Sequence, residues 1–264
     1  MLYSSKFNFS EHTNFARINM SCKLDGFMSD ITLRSTRDQN AVLVQSRFCA
    51  DCFNQDMYQI LDLSCPASLT KASHRRRAEF LAGRVVAQTA LIALDIPTVE
   101  IPVRQDRVPC WPARSSGSIS HSQEHCACFV IADPLWTVGI DVEIPARGEA
   151  LDAILGLALT EVECSLIMRQ QDFVLSEFAT LLFSAKETLF KALYPLVQYH
   201  FSFEFAEMRT LPENRRVRLY LNQVLCKDLP RESYYDIQFE ITPDFILTWC
   251  AIYLGHGACS DYKF

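Results

Sequence analysis

Two carboxylates stand close together in an otherwise apolar stretch of the sequence. They are Asp141 and Glu143 in "WTVGIDVEI", residues 136–144. Alternate residues of a β-strand share a face, so both acids are expected to point the same way, about 7 Å apart, while the aliphatic residues between them face the core. The two charges repel each other, and a divalent cation relieves that repulsion. Oxygen ligands favour Mg²⁺, Mn²⁺ or Ca²⁺, although the same pattern also suits the solvent-facing side of an edge strand.

A third carboxylate and a cation lie in "FSAKETLFKALYP", residues 183–195. Glu187 and Lys191 are four residues apart, so they share one face of the predicted helix. Such a pair also occurs on ordinary solvated helix faces. Here apolar residues crowd the segment, so the charged face, next to which Lys186 stands, is narrow. This favours a site in which Glu187 is a third metal ligand and Lys191 is a cation for a phosphate.

A small polar run, "GSISHS" at residues 117–122, adds a histidine. Ser118 and Ser120 share a face of this run, and His121 ends it. A histidine in this position can donate a hydrogen bond to phosphate, although a single histidine in a turn is commonplace. A serine hydrolase is disfavoured because the sequence has no G-x-S-x-G elbow.

Cations are concentrated in "KASHRRRAEFLAGR", residues 71–84, within a chain whose formal net charge is −6. The overall charge argues against a bulk nucleic-acid binder, whereas this local cluster suits an anionic ligand. The arginines of the cluster are Arg75, Arg76, Arg77 and Arg84. Three carboxylates, a histidine, a lysine and an arginine cluster together indicate an Mg²⁺-dependent enzyme that acts on an organic pyrophosphate.

The composition is that of a globular protein with a sizeable core. The chain has 264 residues, of which 49% are hydrophobic and 21% charged, and this allows one large domain or two modest ones. No run approaches 18 consecutive apolar residues, so no membrane span is expected, and the first 20 residues lack a secretory pattern. The eleven cysteines are mostly scattered singly, which suits reduced thiols in the cytoplasm. One pair, Cys49 and Cys52, has metal or redox spacing, but an isolated C-x-x-C is a weak signal.

The first half of the chain mixes strand and helix signals. Residues 41–48 read as a strand, and residues 73–94 read as a helix that ends before Pro97. Gly83, in the middle of that helix, costs about 1 kcal/mol relative to alanine. A glycine retained there indicates close approach by another backbone or a ligand.

Two apolar runs, residues 125–132 and 136–144, are predicted strands. Asp133-Pro134-Leu135 between them suggests a hairpin turn. Both halves of the chain mix helix and strand, with a boundary near residues 134–138. The two predicted domains are therefore residues 1–136 and residues 137–264.

The second half begins with helix signals and ends with strands. Thr160 and Glu163 have capping-box spacing, which gives Glu163 a structural explanation. A long helix is expected over residues 176–196, stopping at or near Pro195. Three predicted strands follow, in "RRVRLYLN", "YYDIQFEI" and "FILTWCAIYL".

Three motifs in this order resemble the Sfp-type 4′-phosphopantetheinyl transferases. The motifs are "WPARSSGSISHS", "GIDVE" and "FSAKETLFK". The upstream "RRRAEFLAGR" and "DRVPCWP" further resemble the enterobactin-type, siderophore-synthase subgroup. The resemblance implies an α+β fold of two similar α/β halves that form a pseudo-dimer in one chain and bind coenzyme A in the cleft between them. It also implies a monomer that transfers the 4′-phosphopantetheine arm to a serine of an apo carrier protein and releases adenosine 3′,5′-bisphosphate.

The resemblance also assigns roles to residues. Asp141, Glu143 and Glu187 would hold Mg²⁺, or Mn²⁺, on the pyrophosphate of coenzyme A, with Glu143 bound directly or through water. Glu187, or a water on the metal, would take the proton from the carrier serine. The remaining residues would contact the coenzyme A: Lys191 and His121 at its phosphates, Ser120 as a positioning group, and some of Arg75, Arg76, Arg77 and Arg84 at the 3′-phosphate.

Two other functions use the same residues. A non-catalytic coenzyme A-binding homologue would bind without transfer, and an Mg²⁺-dependent pyrophosphohydrolase would use water in place of the carrier. The carrier itself is open among siderophore, polyketide and fatty-acid synthesis. Residues 144–160, which have apolar side chains to spare, are a weak candidate for the surface that docks it.

Overall fold

The computed structural model of the chain has the predicted α+β class and contains two compact units. One unit contains residues 135–255 together with strand β1 (Tyr3–Ser4), and the other contains the described residues between 9 and 134. Strand β1 lies within the predicted N-terminal half, residues 1–136, but it pairs in the sheet of the C-terminal unit. The structure describes residues 3–4, 9–12, 24, 26–38, 40–97, 100–104 and 106–255.

The N-terminal unit is a five-stranded antiparallel sheet with one long helix packed on it. Its strands follow the order β2-β3-β4-β6-β5. They are β2 (Phe9–His12), β3 (Met28–Thr36), β4 (Ala41–Phe48), β5 (Ser116–Ser122) and β6 (His125–Ile131). Its helices are α1 (Asp56–Ile60) and α2 (His74–Ala93), with short 3₁₀ turns at Ala50–Cys52 and Ala67–Leu69. The strand predicted at 41–48 and the helix predicted at 73–94 are both confirmed.

Helix α2 begins where a capping residue satisfies its first free amides. The Ser73 hydroxyl accepts a hydrogen bond from the Arg76 amide at 3.2 Å, as an N-cap serine does. The close approach expected at Gly83 is found, and it is made by a side chain. A Cβ at Gly83 would lie 3.0 Å from Cγ2 of Ile119 in β5.

The C-terminal unit is a six-stranded antiparallel sheet in the order β1-β11-β10-β9-β8, with β7 paired to β11. The strands are β7 (Trp136–Glu143), β8 (Ala206–Met208), β9 (Arg216–Leu221), β10 (Tyr234–Ile241) and β11 (Ile246–Tyr253). The helices are α3 (Glu149–Ala153), which runs into a π-helical turn (Ile154–Ala158), α4 (Glu161–Arg169) and α5 (Leu175–Val197), with a 3₁₀ turn at Phe203–Phe205. None of the helices within the described ranges combines the length and apolar character needed to cross a membrane.

The hairpin predicted between residues 125–132 and 136–144 is wrong. Both segments are strands, but β6 pairs with β4 and β5, whereas β7 pairs with β11. The two strands are almost continuously buried, so their apolar pattern marks them as central strands without naming a partner. Asp133 and Pro134 instead end one compact unit, and Leu135 begins the other.

Helix α5 packs directly on the backbone of β7. A Cβ at Gly139 would lie 1.9 Å from the carbonyl oxygen of Thr188, and the Thr137 hydroxyl donates to the Ala192 carbonyl at 2.6 Å. Because alternate strand residues share a face, Asp141 lies on this helix-facing side. The expectation that its face lies away from the core is therefore wrong, since Asp141 is only 3% exposed.

A buried ion pair joins α4 to α5. The capping box predicted for Thr160 and Glu163 is confirmed, and Glu163 also accepts a hydrogen bond from the Lys186 ammonium at 2.7 Å. The other carboxylate oxygen of Glu163 accepts from the Met208 amide at 2.9 Å, and Lys186 donates to the Ala158 carbonyl at 2.8 Å. Both charged side chains are fully buried, so Lys186 is part of the core and not of the charged helix face.

The helix predicted over residues 176–196 is confirmed to within one residue at each end. The helix contains Pro195 in its last turn and ends at Val197, where Gln198 adopts a left-handed conformation with φ 57°. A proline without an amide hydrogen removes one hydrogen bond from that turn. The carbonyl that loses this bond is that of Lys191, four residues earlier, while Glu187 lies about two turns before the proline.

Gly139→Ala is expected to lower the free energy of unfolding by about 3 kcal/mol or more, because the new methyl group meets a backbone oxygen that has no rotamer to move to. Urea denaturation followed by circular dichroism measures the loss. Gly156→Ala is the control, because a Cβ there meets no atom within 4 Å. A Gly139→Ala variant with the same urea midpoint as the wild type would contradict the close approach of α5.

Lys186→Met is expected to lower the free energy of unfolding by about 3–5 kcal/mol, because it leaves the Glu163 carboxylate buried without its cation. The double variant with Glu163→Gln removes both charges and should be more stable than the sum of the two single losses predicts. Urea denaturation of the wild type and the three variants completes the cycle. Losses that simply add would show that the two charges do not stabilise each other.

Candidate active site

Asp141 is the centre of a polar group between β7 and α5. Its Oδ1 accepts a hydrogen bond from the Lys191 ammonium at 2.7 Å, and its Oδ2 accepts one from the Ser184 hydroxyl at 2.8 Å. Lys191 also donates to the Ile140 carbonyl at 3.2 Å. The side chain of Lys191 keeps 27% of its surface exposed. Lys191 can therefore reach a ligand from solvent while it holds Asp141.

Glu187 lies one turn before Lys191 and is coupled to the same group. Burial raises the pKa of the Glu187 carboxyl above its usual value, the positive charge of Lys191 lowers that pKa, and the negative charge of Asp141 raises it again. The structure therefore brings together three of the residues selected from the sequence. Glu143, at the end of β7, is half-buried and lies opposite Ile246 of β11.

The carboxylates fit an open metal site better than a closed cage. Within the described part of the chain, no three side chains of the His, Cys, Asp or Glu types lie close enough together to hold a metal by themselves. An ionised carboxylate has about four lone-pair positions, so it can bind a cation while it accepts hydrogen bonds from side chains such as Lys191 and Ser184. Mg²⁺ is typically bound by one or two carboxylates, with waters and substrate phosphate completing the shell. Asp141 and Glu187 match that requirement.

A second charged cluster lies in the N-terminal unit, between α2 and β5. Nη1 of Arg76 lies 2.8 Å from Nε2 of His121. Arginine can only donate, so Nε2 accepts and the ring proton is assigned to Nδ1, which lies 3.8 Å from the Glu79 carboxylate. Glu79 also accepts from Arg75 and Arg76 at 3.2 and 3.3 Å. His121 is not the end of its strand, which continues to Ser122.

The four candidate arginines differ in their surroundings. Arg75 and Arg76 are exposed, whereas Arg77 is half-buried and donates to the Gln55 side chain at 3.0 Å. Arg84 is buried, and burial lowers its pKa to about 10. Its guanidinium lies 4.4 Å from the centre of the Phe80 ring, and its Nε has no hydrogen-bond partner among the described residues.

The "GSISH" run packs against a tryptophan through its glycine. A Cβ at Gly117 would lie 2.5 Å from the ring of Trp111, so the "WP" and "GS" motifs pack against each other. Ser118 and Ser120 are buried on one face of β5, and His121 lies on the opposite face. The strand thus places Ser120 and His121 on different sides.

The Cys49 and Cys52 pair lies in the 3₁₀ turn that precedes α1. A hydrogen bond with Cys49 raises the pKa of the Cys52 thiol, which disfavours the reactive thiolate. The described cysteines carry free thiols. The pair therefore adds no chemistry to the site.

Sequence reasoning missed Ser184 and Thr248. Ser184 precedes Lys191 by seven residues and so lies on the same side of α5, but a serine among apolar residues gives little signal by itself. Thr248 is opposite Asp141 in β11, a relationship that depends on strand pairing and has no local spacing.

Glu187→Gln is expected to increase stability above the ordinary glutamate pKa. The pKa of Glu187 is higher in the folded state than its ordinary value of 4.5. The stability that Glu187 contributes is therefore fully present below pH 4.5 and is lost as the pH rises through the pKa of the folded state. A neutral glutamine avoids that loss, so its advantage in urea midpoint should grow between about pH 4 and pH 8. Glu161→Gln, at an exposed position of α4, is the control. An advantage independent of pH would contradict the assigned burial of the charge.

Two regions of the chain match sequence models of one enzyme superfamily. Residues 66–131 match the 4′-phosphopantetheinyl transferase N-terminal domain, and residues 137–250 match the 4′-phosphopantetheinyl transferase superfamily. The first region contains the Arg76–His121 cluster, and the second contains the polar group around Asp141. The matches therefore include both charged clusters.

Similarity to individual proteins is weaker and partial. The chain is 32% identical to the 4′-phosphopantetheinyl transferase Svp of Streptomyces mobaraensis, over 56% of this chain and 60% of that protein. It is 36% identical to enterobactin synthase component D of Escherichia coli (strain K12), over 48% and 59%, and 29% identical to the 4′-phosphopantetheinyl transferase PptT of Mycobacterium tuberculosis, over 53% and 61%. The chain thus spans about 60% of the length of these relatives. Because the two matched regions carry the same motifs that resemble this family, the chain belongs to the 4′-phosphopantetheinyl transferase superfamily and is related to its enterobactin-type members.

Proposed function

We propose that the protein transfers the 4′-phosphopantetheine arm of coenzyme A to a serine of an apo carrier protein, in a reaction that depends on a divalent metal. The products are the holo carrier and adenosine 3′,5′-bisphosphate. The observation that carries the proposal is the contact of Asp141 with Lys191, next to a Glu187 whose pKa is raised. A buried carboxylate, a cation and a carboxyl group of raised pKa are the groups that transfer from a pyrophosphate requires.

The metal is proposed to be Mg²⁺, with Mn²⁺ as a substitute, held by Asp141 and Glu187. Glu143 is the third proposed ligand, and its half-buried position suits a bond made directly or through water. When bound, the cation supplies positive charge to the pyrophosphate oxygens. The donor set supports this choice because it consists of carboxylate oxygens, the ligands that Mg²⁺ prefers.

The protein's own residues supply the remaining steps. The serine oxygen of the carrier forms a bond to the phosphorus of the phosphopantetheine, and the bond from that phosphorus to the bridging oxygen breaks. Glu187 is the proposed acceptor of the serine proton, since a raised pKa makes a carboxylate a stronger base. Lys191 offsets the charge that develops on the leaving phosphate.

The arginine cluster is proposed to bind phosphate groups of coenzyme A. Arg76 and His121 are the best placed, because they already lie 2.8 Å apart and both can turn a donor towards an anion. Arg84 is a buried cation whose Nε lacks a partner among the described residues, and an anion would offset its desolvation. Arg75, which pairs with Glu79, and Arg77, which donates to Gln55, rank below Arg76, whose guanidinium also reaches His121. Ser120, buried on the other face of β5, would act by positioning the strand.

The proposed carriers belong to siderophore or other secondary-metabolite synthesis. The match to enterobactin synthase component D supports this class. Residues 144–160 remain the proposed docking segment, in which Leu157 is 78% exposed. A panel of siderophore, polyketide and fatty-acid carriers separates these classes.

Each apo carrier is incubated with the protein, coenzyme A and Mg²⁺ and analysed by intact mass; a gain of one phosphopantetheine is expected on the siderophore or other secondary-metabolite carriers, and EDTA should prevent it. Asp141→Asn should lower the labelling rate by about 100-fold or more, because it removes the central charge of the site. Asp244→Asn, at an exposed turn beside β11, is the matched control and should label at the wild-type rate.

The outcomes separate three functions. Labelling of a carrier that requires metal and Asp141 supports the transferase. Release of adenosine 3′,5′-bisphosphate without any carrier would indicate a pyrophosphohydrolase and overturn the proposal. Binding of coenzyme A with no labelling across the panel would indicate a non-catalytic homologue and would overturn it as well.

A further inference from the structure

Three buried hydroxyl groups form a chain behind Asp141. They belong to Ser184 and Thr188 of α5 and to Thr248 of β11, and all three residues are 0% exposed. Thr188 Oγ1 lies 2.6 Å from Thr248 Oγ1, Thr248 Oγ1 lies 2.8 Å from Ser184 Oγ, and Ser184 Oγ lies 2.8 Å from Asp141 Oδ2. A continuous row of hydrogen bonds therefore connects Thr188 to the Asp141 carboxylate.

The hydrogen bonds along these hydroxyl groups run in one direction, towards Asp141. An ionised carboxylate can only accept, so the single proton of Ser184 is committed to Asp141. Ser184 Oγ then accepts from Thr248 at 2.8 Å, a shorter contact than the 3.0 Å from the Thr248 hydroxyl to the Ser184 carbonyl. Thr248 Oγ1 likewise accepts from Thr188 at 2.6 Å, although the Thr188 hydroxyl also lies 3.2 Å from the Thr248 carbonyl. Each hydroxyl polarises the next when donors align in this way, which strengthens the last bond, the one to Asp141.

The positions of these residues follow from the packing of α5 on the sheet. Thr248 is the direct cross-strand partner of Asp141, so both side chains point to the helix. Ser184 and Thr188 are one helical turn apart and face the strands. The absence of a side chain at Gly139 lets α5 approach closely enough for the hydroxyl groups to meet.

The bond from Ser184 to Asp141 is not the usual choice for a helical hydroxyl. Serine and threonine inside a helix commonly donate to the carbonyl four residues earlier. In α5 itself, Thr180 does so, with its hydroxyl 2.7 Å from the Ser176 carbonyl. Ser184 donates to Asp141 instead. The helix thus gives up a local bond in favour of one to the proposed metal ligand.

We propose that Ser184, oriented by Thr248, is a positioning residue that fixes the Asp141 carboxylate for the divalent cation. This inference rests on the proposed function of Asp141 as a metal ligand. Ser184 on Oδ2 and Lys191 on Oδ1 prevent rotation of the carboxylate, so its two oxygens keep one orientation. Groups that orient a ligand in this way typically change metal affinity by about 10- to 100-fold.

Mn²⁺ affinity of the full chain, measured by electron paramagnetic resonance without coenzyme A or carrier, tests the proposal apart from activity. Ser184→Ala is expected to weaken Mn²⁺ binding by about 10- to 100-fold. Thr248→Val should weaken it by less, because Ser184 can still donate to Asp141. Thr137→Val is the matched control. It removes another buried hydroxyl from the same β7–α5 contact but leaves Asp141 untouched. The Mn²⁺ affinity of this variant should stay within about twofold of wild type, while its melting temperature should fall about as much as that of Ser184→Ala.

Each result decides between explanations. Graded losses of affinity at positions 184 and 248, with wild-type affinity for the Thr137 variant, support the proposal. Equal losses in all three variants would show a general packing effect and overturn it. If Ser184→Ala does not fold, wild-type Mn²⁺ affinity in Thr248→Val overturns it alone.

Carrier labelling by the wild type, run in parallel, separates the two proposals. Unchanged Mn²⁺ affinity in the variants together with normal wild-type labelling overturns the role of Ser184 and leaves the transferase intact. A wild type that neither binds Mn²⁺ nor labels a carrier overturns both.

Discussion

Helix α5 lies so close to strand β7 that only a residue without a side chain fits at position 139. The rest of the candidate site depends on this contact. With a carbonyl of the helix against the strand backbone, the hydroxyl, ammonium and carboxyl groups of α5 lie within reach of Asp141, whose own strand position is set by pairing with β11. A side chain at position 139 would push α5 away from the strand and lengthen the contacts that Lys191 and Ser184 make with the carboxylate. The "GID" motif therefore combines a packing requirement with a chemical one.

Some buried charges of the C-terminal unit stabilise its core, and others belong to the candidate site. Lys186 and Glu163 are fully buried, form an ion pair with each other and make hydrogen bonds to nearby backbone groups. One residue further along α5, Glu187 is incompletely buried and less well compensated, so its protonation is sensitive to its surroundings. Adjacent residues on a helix point about 100° apart, which explains how "KE" places one charge in the core and the other at the site. The N-terminal unit has its own polar cluster, in which the Glu79 carboxylate pairs with Arg76 and lies 3.8 Å from Nδ1 of His121.

The sequence was sufficient for features that depend on local spacing. Ser73 begins a helix, Thr160 and Glu163 form a capping box, and Glu187 lies one turn from Lys191, because each signal involves residues at most four apart. Features that depend on pairing were not predictable. β6 and β7 both read as buried apolar strands, so their pattern could not show that they belong to different sheets. Thr248 carries no chemical signal until its register against Asp141 is known, and the partner of Lys186 lies 23 residues earlier in the chain.

The pairing of β1 with β11 has a consequence for the order in which the molecule can be assembled. Tyr3 lies opposite Tyr253, and Ser4 lies opposite Ile252, so the first described strand is joined to the last. During synthesis the N-terminal end must wait for nearly the whole chain before it can pair, while the five-stranded sheet of residues 9–134 has all its strands much earlier. Contacts between residues so distant in the chain are slow to form. The N-terminal unit is thus available to fold as an insertion between the two ends of a sheet that closes last.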